Sequence, residues 1–300
     1  MAKKHDQLDI LHGSLWKSVP LFAMPVAATS ILEQLSNLIG TLMIGHFSPD
    51  GGAIGMAAVG SNLPLTSLVI QLFIGLSLGV NVTIAYAVGA KDKVRANRCA
   101  HAAIALSFIG IAVAIVMELV AEPALQCLSV PAEVFDEALL FLRIYLIGIP
   151  AIMLYDFEAA IFRSVGITRM PLLALTVSAA LNALLDVVFV PVLGWGVAGV
   201  ALAMVISYLA SAAFLFARLL KAEDPIRIEL SRLYVDHASA VSIVRIGLPA
   251  AIQGAVFAIA NIVIQTCINS LGTQVVAASP AALALEFVCY SLLNSFSQAC

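Results

Sequence analysis

Residues 172–192 read LLALTVSAALNALLDVVFVPV, an apolar run with Asn182 and Asp186 in its middle. The run is long enough to cross a bilayer, which takes about 20 residues. An Asp at the centre of such a helix costs roughly 2.5 to 3.5 kcal/mol to insert, so an acid kept there marks an ion or substrate path by default. Asn182 and Asp186 are four residues apart and share one helical face. Together they present a carboxylate and an amide carbonyl, hard oxygens of the kind that a proton or a small hard cation takes. The alternative is an Asp satisfied by a neighbouring helix in a purely structural role.

The rest of the chain agrees with a membrane setting. Of its 300 residues, 62% are hydrophobic and only 11% charged, with a mean hydropathy of +1.04. A soluble globular chain would carry about 25% charged residues. This composition predicts an all-α polytopic membrane protein and points away from nucleic acid. The apolar stretch from Ser18 to Phe47 is too long for a cleaved signal core of about 7 to 15 residues. The five cysteines, Cys99, Cys127, Cys267, Cys289 and Cys300, show no Cys-x-x-Cys spacing and read as small packing residues.

Eight spans can be placed at about 18–45, 57–89, 98–120, 137–162, 171–193, 196–218, 241–270 and 279–300. Pro25, Pro150 and Pro249 fall inside them and predict kinks. Lys3, Lys4, Lys17, Lys91, Lys93, Arg95, Arg98, Arg163, Arg169, Arg218, Lys221, Arg227, Arg232 and Arg245 all fall on one side. The positive-inside rule makes that side, and the amino terminus, cytoplasmic. The opposite connections carry Asp50, Glu118, Glu122, Glu133, Asp136 and Glu137. Arg143 departs from the pattern about two turns into span four, where it snorkels outward or pairs with an acid.

Residues 221–238 form the most polar segment and read as a cytoplasmic linker between a six-helix lobe, 1–220, and the start of a second lobe, 239–300. The sequence repeats across it. Met24-Pro25-Val26-Ala27-Ala28 matches Leu248-Pro249-Ala250-Ala251-Ile252, and Asn37 matches Asn261 at the same offset (249 − 25 = 261 − 37 = 224). Both copies start on the cytoplasmic side, which makes them parallel repeats about an axis along the membrane normal. By this arithmetic a whole second copy would end at about residue 440, so the expectation is a chain that stops inside its second bundle.

Several polar side chains could serve a central cavity. Ser30, Glu33, Asn37 and Thr41 make a stripe on span one. Asn261, Gln265 and Asn269 repeat it more weakly on span seven, and Glu286 adds an acid on span eight. Such stripes face protein or water rather than lipid. The competing reading is interhelical hydrogen bonding by the amides, worth about 0.6 to 2 kcal/mol each. Asp156 and Glu158 near the cytoplasmic end of span four, followed by Arg163 and Arg169, read as salt-bridging anchors at the interface. Gly194, Gly196 and Gly199 lack a nucleotide-binding β-α-β setting and predict a tight turn with a close helix contact. No histidine pair has metal-ligand spacing, and no nucleophile and base pattern indicates an enzyme.

Three segments carry a family likeness. Tyr86-Ala87-Val88-Gly89-Ala90-Lys91-Asp92, Ile147-Gly148-Ile149-Pro150 through Arg163-Ser164-Val165-Gly166, and Gly196-Val197-Ala198-Gly199-Val200-Ala201-Leu202-Ala203 resemble the multidrug and toxic compound extrusion (MATE) family. The resemblance implies a cation-coupled antiporter of two six-helix lobes, exporting organic cations by rocking between inward-open and outward-open states in the cell membrane. It implies H+ or Na+ as coupling ion, no cofactor, and Asn182 and Asp186 as the amino-lobe cation site. Where many members have Val-Asp-Thr on the first span this chain reads Ile39-Gly40-Thr41, and where they often have Thr on the sixth it has Met204. A site with one carboxylate favours a proton, and Glu33 is the candidate for the missing acid. A lipid-linked oligosaccharide flippase of related architecture and a non-transporting truncated subunit are the other readings. Substrate identity and oligomeric state stay open.

Overall fold

The computed structural model describes residues 15–47, 52–128, 130–229, 236–270, 289–290 and 293, without the side chains of 15–18, 37, 53, 262 and 265–270. Every regular element among these residues is helical. In chain order they are α1 (Leu15–Phe47), α2 (Ala53–Gly89), α3 (Lys93–Ser107), α4 (Ile109–Cys127), α5 (Ala132–Ser164), α6 (Arg169–Val187), α7 (Gly196–Leu220) and α8 (His237–Ser270). Among the described residues seven stretches are long and apolar enough to cross a membrane, and α3 with α4 supplies one of them. The protein is a multi-pass membrane protein. Most of the expected eighth span, with Glu286, lies outside the described residues.

The helices run several residues past the apolar stretches that predict them. Helix α2 starts at Ala53 rather than 57, and α5 covers 132–164 rather than 137–162. Hydropathy sees the part that meets lipid, whereas hydrogen bonding continues until a turn or cap stops it. The third span, expected as one helix over 98–120, covers Lys93–Cys127 and breaks at Phe108. The Asp92 side chain accepts from the Arg95 backbone N–H at 2.9 Å and caps α3. Helix α6 runs on into a π-helical turn, Val188–Val192. Pro191 cannot donate to the carbonyl four residues back, and the Leu193 N–H reaches the Val188 carbonyl instead, at 3.0 Å.

Helix α5 is the hub and packs on α2, α4 and α7, while α1 lies against α6. A Cβ on Gly148 would stand 2.8 Å from Val205 Cγ2, so only glycine lets α5 and α7 approach this closely. Two hydroxyls stitch α6 to α7. Ser178 Oγ donates to the Ser207 carbonyl at 2.7 Å, and Ser211 Oγ donates to the Ala174 carbonyl at 3.1 Å. On the other side α8 is laid along α2. A Cβ on Gly75 would stand 2.2 Å from Ala251 backbone, and one on Gly79 2.3 Å from the Ile243 carbonyl oxygen. Backbone thus meets backbone along this seam, as small residues permit between membrane helices.

Two expectations resolve differently from each other. Arg143 pairs with an acid, its Nε 3.1 Å from Glu118 Oε1 across α4 and α5. Glu158 is not an interfacial anchor: it is 0% exposed and both its carboxylate oxygens lack a hydrogen-bond partner among the described residues. The reason is helix phase. Glu158 falls on the face of α5 with Tyr155, Ile161 and Phe162, which turns into the bundle.

The turn after α6 follows the glycine reading. Gly194 and Gly196 adopt positive φ, 68° and 50°, a backbone shape that glycine takes without steric cost. Gly199 then lies against Phe189, where a Cβ would stand 2.9 Å from the phenylalanine Cβ.

Candidate cation site

Asp186 and Asn182 both turn into the lobe. Asp186 is 0% exposed and Asn182 4%. Neither Asp186 oxygen nor Asn182 Nδ2 has a hydrogen-bond partner among the described residues. Buried polar atoms are nearly always satisfied, and those that are not call for an ion, a water or a proton to complete them. A carboxylate in this condition is therefore set up to take a proton or a cation.

The family-position acid missing from α1 would have stood beside this carboxylate. A Cβ on Gly40 would lie 3.6 Å from Asp186 Oδ2 and 2.9 Å from Val200 Cγ1. Glu33 is on the same helix seven residues earlier, about 10 Å along the axis. It does not stand beside Asp186. It lines a small cavity with Ser36, Ser178, Asn182, Met204 and Ser207, closed by Leu175, Ala179 and Tyr208. The cavity measures about 20 Å³ for the centre of a water-sized sphere, room for about one water. Asn182 thus has Glu33 on one side and Asp186 one turn away on the other. Met204 brings a soft thioether where a hydroxyl would have added a hard oxygen.

The remaining candidates scatter. Thr41 is half-buried on α1 with the polar stripe, whose opposite face exposes Ile31, Leu35, Leu38 and Leu42. Asn261 is exposed on α8. The side chains of Asn37 and Gln265, and the whole of Glu286, lie outside the described residues. The cavity adds Ser178, Ser207 and Tyr208, which sequence reasoning did not select. Ser178 stands four residues before Asn182, and that spacing was the available signal. Ser207 Oγ is buried and has no hydrogen-bond partner among the described residues.

Apolar spans packed around buried, incompletely satisfied carboxylates define an integral membrane bundle with a polar interior. The MatE family model matches residues 25–188. The chain belongs to the multidrug and toxic compound extrusion family, a family of transporters. It is similar to the probable multidrug resistance protein YoeA of Bacillus subtilis (strain 168), 28% identical over 273 residues that cover 88% of this chain and 58% of that protein. It is also similar to the multidrug export protein MepA of Staphylococcus saprophyticus, 22% identical over 266 residues that cover 88% of this chain and 58% of that one. Among solved structures it resembles a MATE crystal structure in the bent conformation, with a TM-score of 0.87 at 25% identity, covering 96% of this chain and 64% of that chain. A MOP superfamily transporter from Pyrococcus furiosus shares the fold, with a TM-score of 0.86 at 24% identity, covering 96% of this chain and 63% of that chain. The chain spans under two thirds of the length of these relatives.

Proposed function

We propose that this chain serves in a cation-coupled antiporter that exports organic cations across the cell membrane by alternating access, with its amino terminus in the cytoplasm. The observation that carries the reading is Asp186, a fully buried carboxylate whose oxygens have no hydrogen-bond partner among the described residues, one turn from Asn182. Such a group alternately holds a proton and a cationic substrate, because leaving it charged and bare in a low-dielectric interior is costly. H+ suits the site better than Na+, since Gly40 and Met204 remove two oxygen ligands that a sodium ion would draw on. Glu158 and Asp186 are buried while no Lys or Arg is buried among the described residues, a balance that attracts cations and repels an anionic lipid-pyrophosphate. One charge exchanged against 100 mV supplies about 2.3 kcal/mol. The kinship with proteins named for multidrug export supports organic cations as cargo.

The test is efflux of a cationic dye from proteoliposomes under an imposed pH gradient, then under a Na+ gradient. Asp186→Asn abolishes gradient-driven efflux on this reading. Unchanged efflux in that variant would remove Asp186 from the mechanism.

A further inference from the structure

Arg143 breaks the charge pattern of its side of the membrane, and its place on α5 gives it a use. Its Nε lies 3.1 Å from Glu118 Oε1 of α4, and both side chains are half exposed. Neither has a hydrogen-bond partner elsewhere among the described residues. The two helices run antiparallel in a register that brings the pair together. A Cβ on Gly110 of α4 would stand 3.3 Å from Pro150 Cα of α5. Eight residues on along α4 and seven back along α5 (110 + 8 = 118, 150 − 7 = 143) lead to Glu118 and Arg143. The pair faces out of the bundle. Arg143 shares a stripe of α5 with the exposed Leu140 and Ile147, and Glu118 is bordered on α4 by the exposed Ile115 and Leu119. Helix α8 packs on α2 and α3, so the described part of the second lobe leaves this face clear. An apolar face of this kind on a multi-pass membrane protein meets lipid.

Depth fits the pair to a lipid head group. Both residues lie toward the membrane surface opposite the amino terminus. Glu118 stands two residues inside that edge of its apolar run (120 − 118) and Arg143 six inside its own (143 − 137), about 3 and 9 Å at the helical rise. Side chains lean toward the N-terminus of their helix, which for α5 is this same edge, so the guanidinium reaches up to the boundary between acyl chains and head groups. A guanidinium and a carboxylate hold more donors and acceptors than one ion pair uses, and acyl chains can satisfy none of the rest. A lipid bearing a phosphate and a primary ammonium supplies both missing partners and adds no net charge. An anionic lipid is disfavoured, because Glu118, Glu122, Glu133, Asp136 and Glu137 gather at this end against Arg143. The order along the membrane normal matches as well. Phosphate lies nearer the chains, as Arg143 does, and the ammonium lies nearer water, as Glu118 does.

We propose that Arg143 and Glu118 form a docking site for the head group of phosphatidylethanolamine in the leaflet opposite the amino terminus. The guanidinium donates to the lipid phosphate, and the lipid ammonium donates to the Glu118 carboxylate. Phosphatidylcholine keeps the phosphate, but its quaternary nitrogen has no N–H to give. The site is independent of the cargo and of the coupling ion.

The experiment places the purified full chain in nanodiscs of dioleoyl phosphatidylethanolamine, phosphatidylcholine and phosphatidylglycerol in equal parts. Native mass spectrometry then identifies the lipids that stay bound after release into detergent. The parent chain is expected to retain phosphatidylethanolamine about tenfold over either competitor, which is what one hydrogen bond to a charged group provides. Arg143→Gln should bring the three lipids close to parity. The exchange variant Glu118→Arg/Arg143→Glu keeps an ion pair between α4 and α5 but reverses its order along the membrane normal. It should unfold at the temperature of the parent chain and lose the preference, which separates lipid recognition from a purely structural bridge. Equal retention of the three lipids by the parent chain, or an undiminished preference in the exchange variant, would overturn the proposal. Preferential retention of phosphatidylglycerol would overturn it too, and would make Arg143 a contact for anionic lipid instead.

Discussion

Asp186 Oδ2 lies 3.6 Å from the point at which a side chain on Gly40 would begin, so the wall of the buried acid is a glycine. Placing a carboxylate there would build a two-acid pocket. Val200 Cγ1 stands 2.9 Å from the same point and has to be trimmed to make room. The double variant Gly40→Asp/Val200→Ala is expected to gain stabilisation by Na+, by about 2.7 kcal/mol at a concentration 100 times the dissociation constant. Thermal unfolding in NaCl against choline chloride checks it, with the parent chain showing no such difference.

Glu158 offers a stability test free of transport. It is buried with no partner for either oxygen among the described residues. Replacing a buried ionic group by an apolar one of similar volume is often neutral or stabilising by about 1 to 4 kcal/mol. Glu158→Met is therefore expected to leave the unfolding temperature in detergent unchanged or higher. A large fall would reveal a partner and a structural role.

The α2–α8 seam is intolerant of bulk. Gly75→Leu sets side-chain atoms where Ala251 backbone already lies 2.2 Å from a first Cβ. Overpacking of this kind costs about 1 to 3 kcal/mol or more. The variant should unfold earlier, whereas Gly60→Leu on the same helix, with nothing within 4 Å of its Cβ position, should not.

The linker is tied to α3 by two side chains. Asn97 Nδ2 donates to the carbonyls of Pro225 at 3.1 Å and Arg227 at 2.9 Å. His101 Nε2 accepts from the Glu229 N–H at 3.1 Å. Asn97→Ala leaves both carbonyls without this donor, at roughly 1 kcal/mol per hydrogen bond. Limited proteolysis should then cut between residues 222 and 229 several times faster than in the parent chain.

At the start of α8 the Asp236 carboxylate accepts from Ser239 Oγ and from the Ser239 N–H at 3.0 Å. These hydrogen bonds hold its pKa below the ordinary 3.8. A group with a depressed folded pKa contributes stability that is present above the unfolded value and lost as pH falls through the folded one. Below about pH 4 the cap should weaken and the first turn of α8 should exchange amide hydrogens faster. In Ser239→Ala that pH dependence should shrink.

Much of the architecture was legible in local pattern. Long apolar runs at LLALTVSAALNALLDVVFVPV and its neighbours located the spans, because hydropathy is a property of each segment alone. Asp186 stood out for the same reason, as one acid within such a run. Asp156 and Glu158 were not legible, because they are two residues apart and their likeness in sequence hides opposite faces. Asp156 stays partly exposed, whereas Glu158 is sealed inside the bundle.

The sequence by itself determined that this is a helical membrane chain with an acid inside a span at Asp186, since continuous apolar runs of about 20 residues satisfy their backbone within lipid as helices, whereas barrel strands are about half that length. Only the tertiary structure decided which polar groups share a space. It set Gly40 against Asp186, placed Glu33 in one cavity with Asn182, and closed α8 onto α2 through bare backbone. Those pairings depend on the rotation of each helix about its axis relative to its neighbours, which close packing between helices fixes and no single span encodes.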